Sequence, residues 1–440
     1  MAKITDSFFS LKYSGSELIK HSLVLFLGST LAQSLSVLLY PAFSRLFSPE
    51  QFGTYALFLS ITGIMAFLSS GVYEQAILLP REDKDALTLL VLSLMLTLVQ
   101  CLIFLIPILF FGDYISERML NNAQIRPFLM LVPVSIILNN IYAAFTFYAN
   151  RRKYYAYISQ SSVNQGIGIN ISKLVFGLSG LTKSGLILGR IIGQFTAAAQ
   201  LVLQVMRKSR ITLQDIKNVR GNLKQVALTY KNFPKFRMPL ALMNTFSTAL
   251  PILALSKYFT AWDAGQYSLA VGVLLTPVTL IVGSVSKVMN QKIIERVNAR
   301  QPVLYYAIRA LRFIMPVTAV LFFIFYFVSE PVFVFLFGAG WQEAGRIGGL
   351  LLPWVFLVLF TTPFGFVPDM FFRQKKAMII DAVYLIMRIA ALAIGIWNNN
   401  IMLAIGLFVL SGCVILSYNL IWYLSLLKDH DKSILTDKTR

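Results

Sequence analysis

The sequence is short of acid: 19 Asp and Glu stand against 39 Lys and Arg in 440 residues, a net charge of +20. Charged residues of both signs make up only 13% of the chain, against roughly 25% in soluble domains. With 57% hydrophobic residues and a mean hydropathy of +0.70, the chain has too little polar surface to cover a soluble globule. Histidine is almost missing; His21 and His430 lie near opposite ends, which takes the commonest metal ligand and general base out of the middle of the chain. Cys101 and Cys413 both fall inside apolar runs and offer neither a disulfide framework nor a metal site. There is no Gly-x-x-x-x-Gly-Lys-Ser/Thr loop to cradle ATP phosphates. The Asp-x-Asp pairs Asp83-Lys-Asp85 and Asp429-His-Asp431 lie in a short loop and in the tail, without room for a sugar-nucleotide site. No cofactor and no metal are expected.

What the sequence has in place of these is apolar runs of roughly 17 to 25 residues, the length that spans a bilayer, recurring along almost the whole chain. In lipid every backbone amide must be paired, which leaves helices or a closed barrel. Runs such as Val317 to Val328 and Ile401 to Leu410 lack the period-two alternation of a barrel strand. The expected fold class is therefore all-α integral membrane, with about 12 transmembrane helices. The first is read as Ser22 to Phe43, too long and too poorly flanked for a cleaved signal peptide. The second is read as Thr54 to Leu79 and the ninth as Ile314 to Val328.

A net charge of this size would suggest nucleic acid in a soluble protein, but here the charges are sorted by loop, and no nucleic-acid partner is expected. Lys3, Lys12 and Lys20, Arg81 and Lys84, Arg151 to Lys153, the stretch from Arg207 to Arg237, Lys292 to Arg312, Arg373 to Lys376 and the tail fall on one face. The other face has Arg45, Arg118, Arg126, Lys183, Lys257 and Arg346. By the positive-inside rule both termini are cytoplasmic. The Arg207 to Arg237 stretch is expected to form a short surface helix on anionic membrane lipids.

Two loops on the poorer face repeat each other. Phe47-Ser-Pro-Glu-Gln-Phe-Gly-Thr-Tyr-Ala-Leu57 and Phe259-Thr-Ala-Trp-Asp-Ala-Gly-Gln-Tyr-Ser-Leu269 share Phe, Gly, Tyr and Leu at an offset of 212 residues. On the basic face, Arg151-Arg-Lys-Tyr and Arg373-Gln-Lys-Lys each follow the fourth helix of a half. Six helices separate equivalent points, so the halves keep one orientation and their pseudo-twofold axis runs along the membrane normal. The expected units are a six-helix lobe over 1–206, a basic cytoplasmic linker over 207–238 and a second six-helix lobe with a short tail over 239–440.

Several stretches together carry a family resemblance: Leu46-Phe-Ser-Pro-Glu-Gln-Phe-Gly-Thr-Tyr-Ala-Leu57, Tyr73-Glu-Gln-Ala-Ile-Leu-Leu-Pro80, Tyr148-Ala-Asn-Arg-Arg-Lys-Tyr154, Gly185-Leu-Ile-Leu-Gly-Arg-Ile-Ile-Gly-Gln194, Phe233-Pro234, and Phe337-Gly-Ala-Gly-Trp-Gln-Glu-Ala-Gly345 followed by Pro353-Trp354. In order and spacing they resemble Wzx-type O-antigen flippases, in the superfamily that also holds multidrug efflux antiporters and peptidoglycan lipid flippases. The resemblance implies a translocase in the bacterial inner membrane. Its substrate, undecaprenyl diphosphate carrying a sugar repeat unit, is moved from the cytoplasmic to the periplasmic leaflet.

A charge within a membrane helix costs on the order of 3 kcal/mol by insertion scales and usually faces a bundle interior or wet cavity. The bases so placed are Lys173, Arg190, Lys287 and Arg388; the acids are Glu74 and Asp381. An excess of bases suits a diphosphate and repels a cationic drug. Lys173, Arg190 and Arg388 are accordingly expected to bind the anion, or else to be structural pairs or snorkelling side chains. Gln194, one turn beyond Arg190, is expected to share a ligand oxygen or to pair with a neighbouring helix. Glu74 and Lys287 fall at neighbouring positions of the repeat and are expected to form a gate at the cytoplasmic mouth, with Glu74 the candidate for proton or sodium coupling. Asp381 is expected to couple, or to pair with the nearby bases at Arg373 to Lys376. Pro41, Pro251, Pro277, Pro353 and Pro363 are candidate hinges or packing kinks. Two other readings remain: a multidrug or cation antiporter of the same fold, and a membrane-embedded polysaccharide polymerase.

Overall fold

The computed structural model describes residues 30, 33–212, 214–215 and 222–438. The start of the first expected span, with Lys3, Lys12 and Lys20, and part of the basic linker lie outside the described residues. The described chain is all-α, without strands. Residues 33–46 form α1, followed by α2 (Pro49–Ser70), α3 (Asp83–Asp113), α4 (Leu131–Arg151), α5 (Tyr155–Leu178), α6 (Thr182–Ser209), α7 (Met238–Tyr258), α8 (Ala261–Asn298), α9 (Leu304–Phe337), α10 (Gln342–Thr361), α11 (Gln374–Trp397) and α12 (Ile401–Lys438). Among the described residues ten of these helices, all but α1 and α5, are long and apolar enough to cross a membrane. The protein is a multi-pass membrane protein. Helix α5 is more polar because it pairs inward: Asn170 donates to Ser36 Oγ of α1 at 2.9 Å and to its own Gly166 carbonyl at 2.7 Å.

The ends of the helices correct two expected spans. Helix α2 stops at Ser70, where Gly71 and the buried Val72 both turn left-handed, at φ 60° and 62°. Glu74 therefore sits beyond α2, in a separate helical turn, Tyr73–Ala76. Helix α9 continues through Pro316 and Pro331 to 34 residues, because each proline's missing amide falls within a turn that its neighbours keep helical. Helix α8 has 38 residues, about 57 Å at 1.5 Å per residue, against a hydrocarbon core of about 30 Å, so it projects well beyond the lipid.

The repeated loops become two matching helix starts. Ser48 and Gln51 cap α2 reciprocally, with bonds of 3.4 and 3.0 Å, and Thr260 and Asp263 cap α8 in the same way, both at 3.1 Å. The two starts lie against each other. A Cβ on Gly53 would overlap the Ala261 carbonyl and come within 2.9 Å of Gly265 N; one on Gly265 would overlap the Pro49 carbonyl and come within 3.0 Å of Gly53 N. Exchanging each residue with the one 212 positions on returns the same contact.

This crossing closes one end of the bundle. Trp341, in the turn before α10, is buried over Phe52, with ring centroids 5.0 Å apart, and donates its indole hydrogen to the Ser44 carbonyl of α1 at 2.9 Å. Gln266 braces the same turn, donating to the Gly340 carbonyl at 2.6 Å and accepting from Ala344 N at 2.9 Å. At the other end, Ile281, Val285 and Val288 of α8 and Phe246 of α7 are exposed. Helices α3, α4, α5 and α6 pack among themselves, as do α9, α10, α11 and α12, and α2 meets both α7 and α8 between the groups. The linker helix Leu223–Thr229 docks on α3 through the buried Val226; Asn222 donates to Asp85 at 3.3 Å and Tyr73 to the Ala227 carbonyl at 3.1 Å.

Candidate functional site

Helices α2, α5 and α6 bring Tyr55, Lys173 and Arg190 together. Helices α5 and α6 approach closely because Gly189 faces Lys173: a Cβ there would stand 2.7 Å from Lys173 Cγ and 2.9 Å from its backbone nitrogen. The close approach holds the lysine stem in place and sends Nζ across to α2. There Nζ donates to Tyr55 Oη at 3.1 Å, 4.3 Å from the Tyr55 ring centroid and 5.6 Å from that of Phe43. Arg190, directly after Gly189, acts electrostatically on Tyr55, and its Nε is buried without a hydrogen-bond partner. Lys173 is 9% exposed, while Tyr55 and Arg190 keep intermediate exposure although they lie within the bundle. Among the described residues neither cation has a carboxylate partner. Tyr40 of α1 reaches the same region, its hydroxyl lying against Gly272 of α8. The cluster thus offers two positive charges, a phenol that already accepts from one of them and has its own hydrogen to give, and no competing acid. That is a geometry for an anion with several oxygens.

Arg388 does not join this cluster. It is 5% exposed between α7, α10, α11 and α12. Nη1 donates to Ser247 Oγ at 2.7 Å and to the Ser247 carbonyl at 3.3 Å, Nη2 donates to Tyr384 Oη, and Nε is buried and unpartnered. The diphosphate expected at Arg388 meets an enclosed group in this conformer: both terminal nitrogens already donate, the rings of Tyr384, Phe408 and Trp354 cover the guanidinium, and Nε, a donor left over, is buried.

Gln194, 3% exposed, accepts from Ser135 Oγ of α4 at 2.9 Å, the neighbour-pairing alternative of the two. Glu74 is 7% exposed with Oε2 unpartnered, whereas Lys287 lies exposed on α8, and no ion pair joins them in this conformer. Burial pushes the Glu74 carboxyl up, against the pull of the Ser70 hydroxyl. Asp381 is exposed on α11 and has no ion pair among the described residues; of the bases expected to pair with it at Arg373 to Lys376, Lys376 lies 4.6 Å from the Trp422 ring instead.

The tyrosines escaped sequence reasoning, yet a signal was present. Tyr55 and Tyr267 are the shared tyrosines of the repeat, and each lies within electrostatic range of the cation on the fifth helix of its half, Lys173 or Arg388.

A family model described as polysaccharide biosynthesis protein matches residues 42–346. The lipid II flippase MurJ, in an inward closed conformation, superposes with a TM-score of 0.69 at 15% identity, covering 95% of this chain and 91% of that one. An inward-facing multidrug resistance MATE family transporter of the MOP superfamily gives 0.58 at 13% identity over 91% and 96%. A MOP superfamily transporter from Pyrococcus furiosus, described by the reverse polarity of its binding pocket, gives 0.53 at 15% identity over 93% and 96%. No curated protein matches the sequence. At these identities the likeness is one of fold, and the fold is that of MATE and MurJ transporters.

Proposed function

Since the chain belongs to the polysaccharide biosynthesis protein family, we propose that it is a flippase for an undecaprenyl-diphosphate-linked oligosaccharide, such as an O-antigen repeat unit. It carries the headgroup from the cytoplasmic to the periplasmic leaflet of the bacterial inner membrane. The observation that carries the reading is the Lys173–Tyr55–Arg190 cluster: two cations and a phenol inside a membrane bundle with no carboxylate between them. A diphosphate brings the charge and the oxygens that such a group lacks, and the sugar follows between the lobes. The likeness to a lipid II flippase supports a lipid-diphosphate cargo.

In this reading the lobes 1–206 and 239–440 rock about an axis along the membrane normal, with the linker and both termini in the cytoplasm. On this topology the end closed at the Gly53–Gly265 crossing faces the periplasm. Glu74 is the group that takes up a proton or answers a sodium gradient: its carboxyl is buried with Oε2 unpartnered, and wetting it in the other state would couple the ion to the rocking.

The test is reconstitution in liposomes with a fluorescent lipid-diphosphate oligosaccharide, followed with and without a proton or sodium gradient. Movement of the lipid, lost in Arg190→Gln, is the expected result. Transport of a cationic dye and not of the lipid would overturn the reading in favour of an antiporter, and chain elongation of the glycan in favour of a polymerase.

A further inference from the structure

The C-terminal half holds a second cation site of different character. The Arg388 guanidinium carbon lies 3.9 Å from the Tyr384 ring centroid, 4.6 Å from that of Phe408 and 5.8 Å from that of Trp354. Around its edge stand the Ser247 hydroxyl and carbonyl and the Tyr384 hydroxyl. Among the described residues no carboxylate pairs with it. Asp381, the acid on the same helix, is exposed and two turns away. A charge buried without a counter-ion is unfavourable, and apolar side chains of the same volume would fill the space at lower cost. Three aromatic rings with hydroxyls at the rim are instead the means by which proteins hold organic cations.

We propose that the α7–α10–α11–α12 region is a binding site for one organic cation of the guanidinium or ammonium class, and that Arg388 is its tethered occupant. The chain supplies its own ligand. With the cage filled and positively charged, a cationic amphiphile is refused twice, by volume and by repulsion. In the half-site equivalent in the first lobe, where Tyr55 faces Lys173, Tyr55 and Arg190 stay half-buried, and this is left as the face that meets cargo. The inference does not depend on the nature of that cargo.

Shortening Arg388 should vacate the cage, since a cavity made by deleting a side chain binds the missing fragment when its walls hold their shape. The probe is ethylguanidinium, which reproduces the end of the arginine side chain, titrated into the full-length protein in detergent and read by calorimetry and by thermal unfolding. Arg388→Ala is expected to bind it at least tenfold more tightly than wild type and to rise in Tm on binding. Arg388→Met, which refills the cage with an apolar chain, should show neither effect. A folded Arg388→Ala that binds no more ethylguanidinium than wild type overturns the proposal. So does equal binding by Arg388→Met, which would make the binding unspecific. If Arg388→Ala does not fold alone, solubilisation with ethylguanidinium decides: increased recovery of folded protein supports the tethered ligand, and unchanged recovery refutes it.

Discussion

At the scale of single residues, Arg190 and Lys173 are set apart by sharing one tyrosine. Each is placed within a bundle where a charge is costly, and among the described residues neither has an acid to neutralise it. A charge-assisted hydrogen bond is worth about 1.5–3 kcal/mol, so Arg190→Gln should weaken lipid-diphosphate binding roughly 10- to 100-fold while expression and Tm hold. Tyr55→Phe removes the acceptor for Lys173 Nζ and should weaken binding by about 3- to 10-fold, near 1 kcal/mol. Unchanged affinity in both variants would remove the cluster from the substrate path. Glu74 calls for a measurement against pH. Its carboxyl is pushed up by burial, so the protonated form belongs to the state in which it is buried. Lowering the pH should favour the present conformer and raising it should favour one in which Glu74 is wetted. Spin-label distances between the basic ends of α2 and α8 should therefore change between acid and alkaline buffer in wild type. In Glu74→Gln they should stay near their acid value, and a variant that still tracks pH would rule the residue out.

At the scale of elements, the α2–α8 crossing is the tightest glycine contact among the described residues. Backbone meets backbone at Gly53 and Gly265, and a methyl group at either would overlap a carbonyl oxygen of the other helix. Gly53→Ala and Gly265→Ala should each prevent this end from closing, seen as an increase in spin-label distance across it and as loss of transport. Because both changes break one contact, the double variant should be little worse than either alone. The Trp341 anchor is softer: Trp341→Phe keeps the ring on Phe52 but loses the bond to Ser44, about 1 kcal/mol. It should shift the population by roughly fivefold toward the opposite conformer. The repeat of Phe, Gly, Tyr and Leu was plain in the sequence, and with it the two matched helix starts. That the two glycines touch was not, since the pattern records which residues recur and carries no distance between them. The end of α2 was hidden for a local reason. Hydropathy runs on through Ile77 to Leu79, while the helix is broken by the left-handed pair Gly71 and Val72, and valine gives no warning of that conformation.

At the scale of the whole molecule, composition was enough to place the chain in a membrane as a helical bundle, because lipid leaves so few choices for an amide. The candidate site was half legible. Charges in apolar runs picked out Lys173, Arg190 and Arg388 alike, but nothing in their spacing separates a lysine and a half-buried arginine that share Tyr55 from an arginine wrapped in Tyr384, Phe408 and Trp354. Packing makes that distinction. It has a consequence for selectivity: in proteoliposomes the wild-type protein should leave an ethidium-like dye behind at concentrations where the lipid-linked oligosaccharide moves. Equal transport of both would show that the basic excess does not govern the cavity.

The contacts that hold the crossing shut are not themselves ionic: two glycines, an aromatic edge, an indole bond to a carbonyl and an amide side chain. Ionisable groups stand beside them, Asp263 in the cap of α8 and Glu330, Glu343 and Arg346 around the start of α10, and these pair within the second half. Salt therefore acts on the helix ends next to the latch and hardly on the seam between α2 and α8. Work that an ion gradient performs on this latch enters through those helix ends or from the basic end, across the length of α8.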